Sequence, residues 1–178
     1  MTLSSVRRAA RLLGAIALLV GVAPVLPAQV HITLRAWTQP VMMDTLRQDH
    51  HLRASPAQVY EAALKAFGQL DLPTGRTDGT RGIIGSERFE RQRVLLGLPM
   101  SRSFNCGETV TGPNADSFRL EIAIVVWVAD DKPGTKLSLA SVASGRDVTG
   151  VARAPKECAS TGTVETKLLE AITKIVGG

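Results

Sequence analysis

Residues 118 to 129 read FRLEIAIVVWVA, and this stretch narrows the choice of fold more than any other. Phe118, Leu120, Ile122, Ile124, Val126 and Val128 share one parity, the period-2 signature of a strand with one face in a core. Ala123, Val125 and Trp127 make much of the opposite face apolar too. A strand apolar on both sides belongs inside a sheet, and each face of that sheet needs a covering layer.

Two helices are available for one of those layers. Ser55-Pro56-Ala57-Gln58 supplies a cap, a proline at the first helical position and a glutamine three residues after the cap. Val59, Ala63, Leu64, Phe67 and Leu70 then form an inward stripe, Glu61 and Lys65 stand four apart on the solvent side, and Pro73 ends the element, with Gly68 as an earlier alternative. The second helix follows Ser160-Thr161-Gly162-Thr163, with Val164, Leu168, Ala171, Ile172 and Ile175 at helical spacing and Gly177-Gly178 at its end.

Around the central strand, Ile83 to Val94, Ser101 to Thr111 and Thr135 to Ser144 also read as strands. Turn chemistry at Gly97 and Pro99, at Gly112-Pro113-Asn114 and at Pro133-Gly134 joins the four into an antiparallel meander. Gly75 to Gly82 reads as a turn, and Asp44 to Ala54 as a half-buried strand with Leu46, Gln48, His50, Leu52 and Ala54 on one parity. The expected fold is α+β: an antiparallel sheet of four to five strands with two helices packed on one face, burying the central strand against Val59, Phe67, Leu168 and Ile172. The Ala123, Val125 and Trp127 stripe is expected to lie under the arm Gln29 to Met43 or under another chain.

This order of elements resembles the helix-grip domains. Leu52-Arg53-Ala54-Ser55-Pro56-Ala57-Gln58-Val59-Tyr60-Glu61-Ala62-Ala63-Leu64 is similar to the opening of START/SRPBCC domains, where a strand runs into a Ser-Pro-capped helix. The whole chain resembles small periplasmic helix-grip modules of the BamC type. It departs from the first in lacking paired early helices and a longer sheet, and from the second in lacking a lipid-anchored cysteine and a second domain. The resemblance therefore implies a fold and assigns no residue a role.

The first 28 residues have the pattern of a secretory signal peptide: Arg7, Arg8 and Arg11, an uncharged apolar run from Leu12 to Val25, and Leu26-Pro27-Ala28 before a cleavage point at Gln29. The run is shorter than the roughly 18 residues of a membrane anchor. Export to the periplasm or beyond is expected, followed by an arm over 29–43 and a single domain over 44–178. Three of the 21 basic side chains lie in the leader, whereas none of the 16 acidic ones does, so the +5 formal charge shrinks to roughly +2 in the mature chain. That balance argues against nucleic acid as a partner.

An oxidising compartment makes Cys106 and Cys158 an expected disulfide. Neither a Cys-x-x-Cys redox spacing nor a nearby zinc-ligand set accompanies them. His50 and His51 alternate on a strand and point to opposite faces, and His31 stands apart, so no metal site is expected. No Gly-x-Ser-x-Gly elbow occurs. Gly79, Gly82 and Gly85 recur every third residue but lead into a strand, which suits an entry loop better than a phosphate cradle. Glu87, Glu90, Glu108 and Glu121 read as solvated strand positions, and Arg88, Arg91 and Arg93, interleaved with Glu87 and Glu90, as a salt-bridged face with an anion site as the alternative.

The one violation of ordinary patterning is Val94-Leu95-Leu96-Gly97-Leu98-Pro99-Met100, an apolar connection where a polar turn is the rule. Exposed, it would form an interaction surface from Leu95, Leu96, Leu98 and Met100, with Trp127 as a second contact; folded back, it would cover the core. The expected function is a non-enzymatic, cofactor-free binding module of the bacterial envelope, meeting an envelope protein or the membrane surface. The alternative is a carrier holding a small hydrophobic ligand between sheet and helices.

Overall fold

A computed structural model describes residues 30–34, 39–148 and 154–178. The expected leader and cleavage point, and Trp37 of the arm, lie outside the described residues. The fold is α+β, with three helices and an open antiparallel sheet. In chain order the elements are β1 (His31–Ile32), β2 (Val41–Met42), β3 (Gln48–Leu52), α1 (Pro56–Gln69), β4 (Arg76–Asp78), β5 (Ile83–Gln92), β6 (Val94–Leu95), β7 (Leu98–Pro99), β8 (Phe104–Asn105), β9 (Glu108–Thr109), β10 (Gly112–Pro113), α2 (Asn114–Ser117), β11 (Phe118–Asp131), β12 (Gly134–Asp147), β13 (Lys156–Ser160) and α3 (Thr163–Gly177).

The main sheet runs β4-β5-β11-β12-β13-β8, and β3 also pairs with β12. β11 lies inside the sheet between β5 and β12, as its two-sided apolar pattern requires. β12 serves two neighbours on its far side: β3 pairs with Thr135 to Leu139, and β13 with Ala143 to Gly145. The turn Asp78–Gly82 opens β5. Asp78 Oδ1 accepts from the Arg81 amide at 3.0 Å, and Gly82 takes φ +64° against β11, where a Cβ would stand 2.0 Å from the Val128 carbonyl oxygen. Gly82 thus serves a close backbone approach that no side chain would allow.

α1 starts as its capping box dictates, with Gln58 N–H donating to Ser55 Oγ and Ser55 N–H to Gln58 Oε1. α1 and α3 cover one face of the sheet, burying Val59, Phe67, Leu168 and Ile172 with Leu120, Ile122, Ile124 and Val126. On the opposite face Val30, Ile32, Leu34, Val41 and Met43 are buried with Ile83, Ala123, Val125, Trp127, Ala140 and Val142. The arm is therefore the cover for the second apolar stripe.

One expected strand is absent. Ser101 to Thr111 forms a 3-10 turn (Met100–Arg102), the two-residue β8 and one side of the small β9–β10 hairpin. Local side chains capture the backbone there. Asp116 Oδ1 accepts from Ser101 N–H at 2.7 Å, Asn114 Nδ2 donates to the Cys106 carbonyl at 3.2 Å, and Asn105 Oδ1 accepts from Gly107 N–H at 2.8 Å. Such bonds compete with a sheet ladder. The meander thus has three long strands, β5, β11 and β12, and two short ones were unforeseen: β4, within the expected turn, and β13.

Cys106 and Cys158 are bonded, with their Cα atoms 4.3 Å apart. The bridge joins the irregular excursion to β13 and sits over Gly145 of β12, where a Cβ would meet Phe118 Cδ2 at 2.9 Å and Cys158 Sγ at 3.0 Å. Only a residue without a side chain leaves room for it.

Candidate functional site

The apolar connection folds into a hairpin of its own. Val94 pairs with Pro99 and Leu95 with Leu98, and the Met100 amide donates to the Arg93 carbonyl at 2.8 Å to close the base. Leu96 and Gly97 form the two-residue turn with φ +54° and +73°. Positive φ at both central positions is the geometry that matches strand twist, and it favours Asn, Asp or Gly. A leucine there is locally disfavoured by about 1–2 kcal/mol.

Directly paired residues share a face, so the hairpin has an inner and an outer side. On the inner side Leu95 is 3 % exposed, and Met100, just past the base, is fully buried; both belong to the helix-side core. As surface residues they are corrected, because their side chains pack into the helix-side core. Trp127 is corrected in the same way: at 8 % exposure it lies beneath the arm. Leu96 and Leu98 remain half-buried, and Val94, at 51 %, stands on the outer side with exposed Pro99.

Behind the turn lies a groove of 350 Å³, lined by Gln69, Leu70, Asp71, Arg91, Val94, Leu95, Leu96 and Gly97. A β-bulge places its charged group. The β5–β11 register passes from Ser86 opposite Ile124 to Phe89 opposite Ile122, leaving two residues of β5 against one of β11. Arg88, within the bulge, has φ +48°. The extra residue switches the parity of β5, so Phe89 and Arg91 follow Ile84 and Ser86 onto the helix side. Arg91 therefore reaches the end of α1, donating to the Asp71 carbonyl at 3.3 Å with the Asp71 carboxylate 3.7 Å away, and lies over the Phe89 ring at 5.3 Å. Asp71 has φ +52° and Arg93 +66°, so three non-glycine residues at or beside this groove occupy the left-handed region. Such outliers mark positions where the surroundings override local preference. The apolar run pointed to the hairpin; Leu70, Asp71 and Arg91 were missed as its partners, and the only sequence signal was the parity change between Ile84 and Phe89.

The other polar groups fall into structural arrangements. Glu165, in the first turn of α3, is buried; Ser141 Oγ donates to its Oε1 at 2.7 Å, and Ser160 Oγ lies 2.9 Å from both carboxylate oxygens. Gly162 N–H donates to Ser160 Oγ at 3.0 Å. This network ties α3 to β12 and β13 where the pairing of β12 passes from one neighbour to the other. Asp49 Oδ2 receives Lys136 Nζ at 2.7 Å and Oδ1 receives Ser138 Oγ at 2.6 Å, with Arg47 Nε 3.5 Å away. Burial pushes the Asp49 carboxyl up, but the Lys136 and Ser138 hydrogen bonds and the Lys136 and Arg47 charges outweigh it and hold the group below the ordinary aspartate value.

His51 meets Asp131 at 2.8 Å on the surface, His50 is half-buried and His31 exposed. Among the described residues no group of three His, Cys, Asp or Glu could hold a metal ion, and no helix is long and apolar enough to cross a membrane. Glu90 lies 3.9 Å from Arg119, and Glu108 is exposed on β9. No protein-family model matches the chain, and no curated protein matches it in sequence.

Proposed function

We propose that this chain is an exported, non-enzymatic binding module of the bacterial envelope, and that its contact surface is the β6–β7 hairpin with the groove behind it. One observation carries this reading: Leu96 holds an unfavourable left-handed conformation at the tip of an apolar hairpin, packing in part against the helix-side core and leaving the rest of its side chain at the surface near exposed Val94. Asparagine would suit the turn better; packing against the core accounts for the buried part of the leucine, and a surface contact accounts for the part left outside. The buried disulfide supports export. Two helices on one face of an antiparallel sheet support the helix-grip resemblance. Phe67, Leu120, Ile122, Leu168 and Ile172 fill the space between sheet and helices, which favours a surface contact over an internal carrier site.

The test replaces Val94 with a photoreactive benzoylphenylalanine in cells, with a second probe at Val110, the fully exposed tip between β9 and β10. Adducts from position 94 and none from 110 are expected, and L96N should abolish them without lowering the unfolding midpoint. Adducts that persist in L96N, or none at 94, would overturn the reading.

A further inference from the structure

We infer that the hairpin's partner is the anionic surface of a phospholipid bilayer; this rests on the binding-module reading and names its occupant. The apolar part is small. Val94 and Pro99 face outward, while Leu96 at the turn, packed in part on the core, and Leu98, on the side of Leu95, are only partly exposed. A stable protein interface buries about 800 Å² per partner and usually centres on an aromatic anchor in a pocket. Four aliphatic side chains fall short of that, no aromatic residue lines the groove among the described residues, and the Phe89 ring lies beneath Arg91. A bilayer interface sets no such requirement, because a few apolar side chains entering the headgroup boundary need no matched pocket.

Charge points the same way. Arg93 stands at one base of the hairpin, opposite Met100, and Arg102 lies two residues beyond the other base; both are exposed, and among the described residues neither pairs with an acid. Arg88, in the bulge of the same strand, is also exposed without an acidic partner among the described residues. Arg91 is held by Asp71, which neutralises the one cation lining the groove; at the flanks the Asp116 carboxylate, bonded to Ser101, stands against the two cations Arg93 and Arg102 and leaves their balance positive. An apolar tip with unneutralised arginines beside it is the complement of lipid tails beneath anionic phosphates. Each signal alone gives weak attachment, and together they give reversible, salt-sensitive docking. The hairpin is braced for this role, since Leu95 and Met100 anchor its inner side in the core.

Sedimentation of the mature protein with vesicles tests the assignment, comparing a phosphatidylglycerol/phosphatidylcholine mixture with phosphatidylcholine alone. Binding to the mixture is expected, with little to the neutral vesicles, and release in high salt. R93E/R102E should weaken binding by more than about tenfold, given roughly a fivefold contribution per cation near an anionic surface. V94S/L96N should weaken it at unchanged charge. R53E/K132E, the same charge change at the opposite end of the sheet, should leave it intact. Equal loss in R53E/K132E would overturn the inference in favour of diffuse attraction. So would absence of vesicle binding, or equal binding to neutral vesicles. If vesicle binding fails while the probe at position 94 still yields a protein adduct, the partner is a protein, and the binding-module reading stands without the lipid.

Discussion

The two faces of the sheet are closed by unlike layers. On one, α1 and α3 are hydrogen-bonded internally along their whole lengths and pack Phe67, Leu168 and Ile172 onto the even-numbered side chains of β11. On the other, the described residues of the arm pair with one another, His31 with Met42 and Ile32 with Val41, and meet the sheet through buried side chains. Both layers exclude water from apolar strands, yet only the helical one brings its own cooperative backbone structure. Burial closes either face; regular hydrogen bonding decides how firmly the cover resists local opening. The hairpin combines features of both, with a short ladder of its own and an inner side set in the helix-side core.

A matched pair of substitutions tests this contrast most strongly. Ile122→Ala removes the same atoms from the helix side as Ile32→Ala removes from the arm side. The first should cost about 4 kcal/mol by chemical denaturation, within the 2–5 kcal/mol typical of buried Ile→Ala, and the second about 2 kcal/mol because the arm can settle into the space. Equal costs would show that the two layers are equally rigid. The disulfide comes next: Cys106→Ser with Cys158→Ser should lower stability by about 2–4 kcal/mol, read from the shift in denaturation midpoint, because it ties the irregular excursion to β13.

A smaller effect is expected on the arm alone. In a Trp37→Phe background, which leaves Trp127 as the single indole, Ile32→Ala should shift emission to longer wavelength at denaturant concentrations too low to unfold the helix side. A single coincident transition would join the two layers into one unit. At the hairpin, L96N should change stability by less than about 1 kcal/mol, since relief of the left-handed leucine offsets the loss of its half-buried surface.

The smallest effect is electrostatic and lies on β3. The Asp49 carboxyl is held below its ordinary range, so its contribution is complete above about pH 4 and fades as pH falls through the lower folded value. Asp49→Asn should therefore lower the neutral plateau slightly and converge with the unsubstituted protein at acid pH, which flattens the acid limb of the stability curve. A carboxyl resonance for Asp49 titrating at the ordinary value would contradict the geometry of Lys136 and Ser138 around it.

Sequence by itself determined the parts governed by local periodicity and capping. Ser55-Pro56-Ala57-Gln58 marks the start of α1, the alternation of residues 118–129 places β11 inside a sheet, and the apolar stripes of α1 and α3 identify their buried faces. The two-sided strand even required a second cover, which the arm supplies. What followed from contacts distant in sequence was decided only in three dimensions. Residues 101–111 carry enough strand-like residues to suggest a fourth long strand, yet Asp116 and Asn114 redirect their backbone. The bulge that turns Arg91 toward Asp71, 20 residues away, left only a faint change of parity in the sequence. The hairpin was legible as an anomaly, but which of its leucines faced the core was not. Periodicity reports how one element divides its residues between two faces; which face meets the core depends on twist, register and the neighbours that the rest of the chain brings to it.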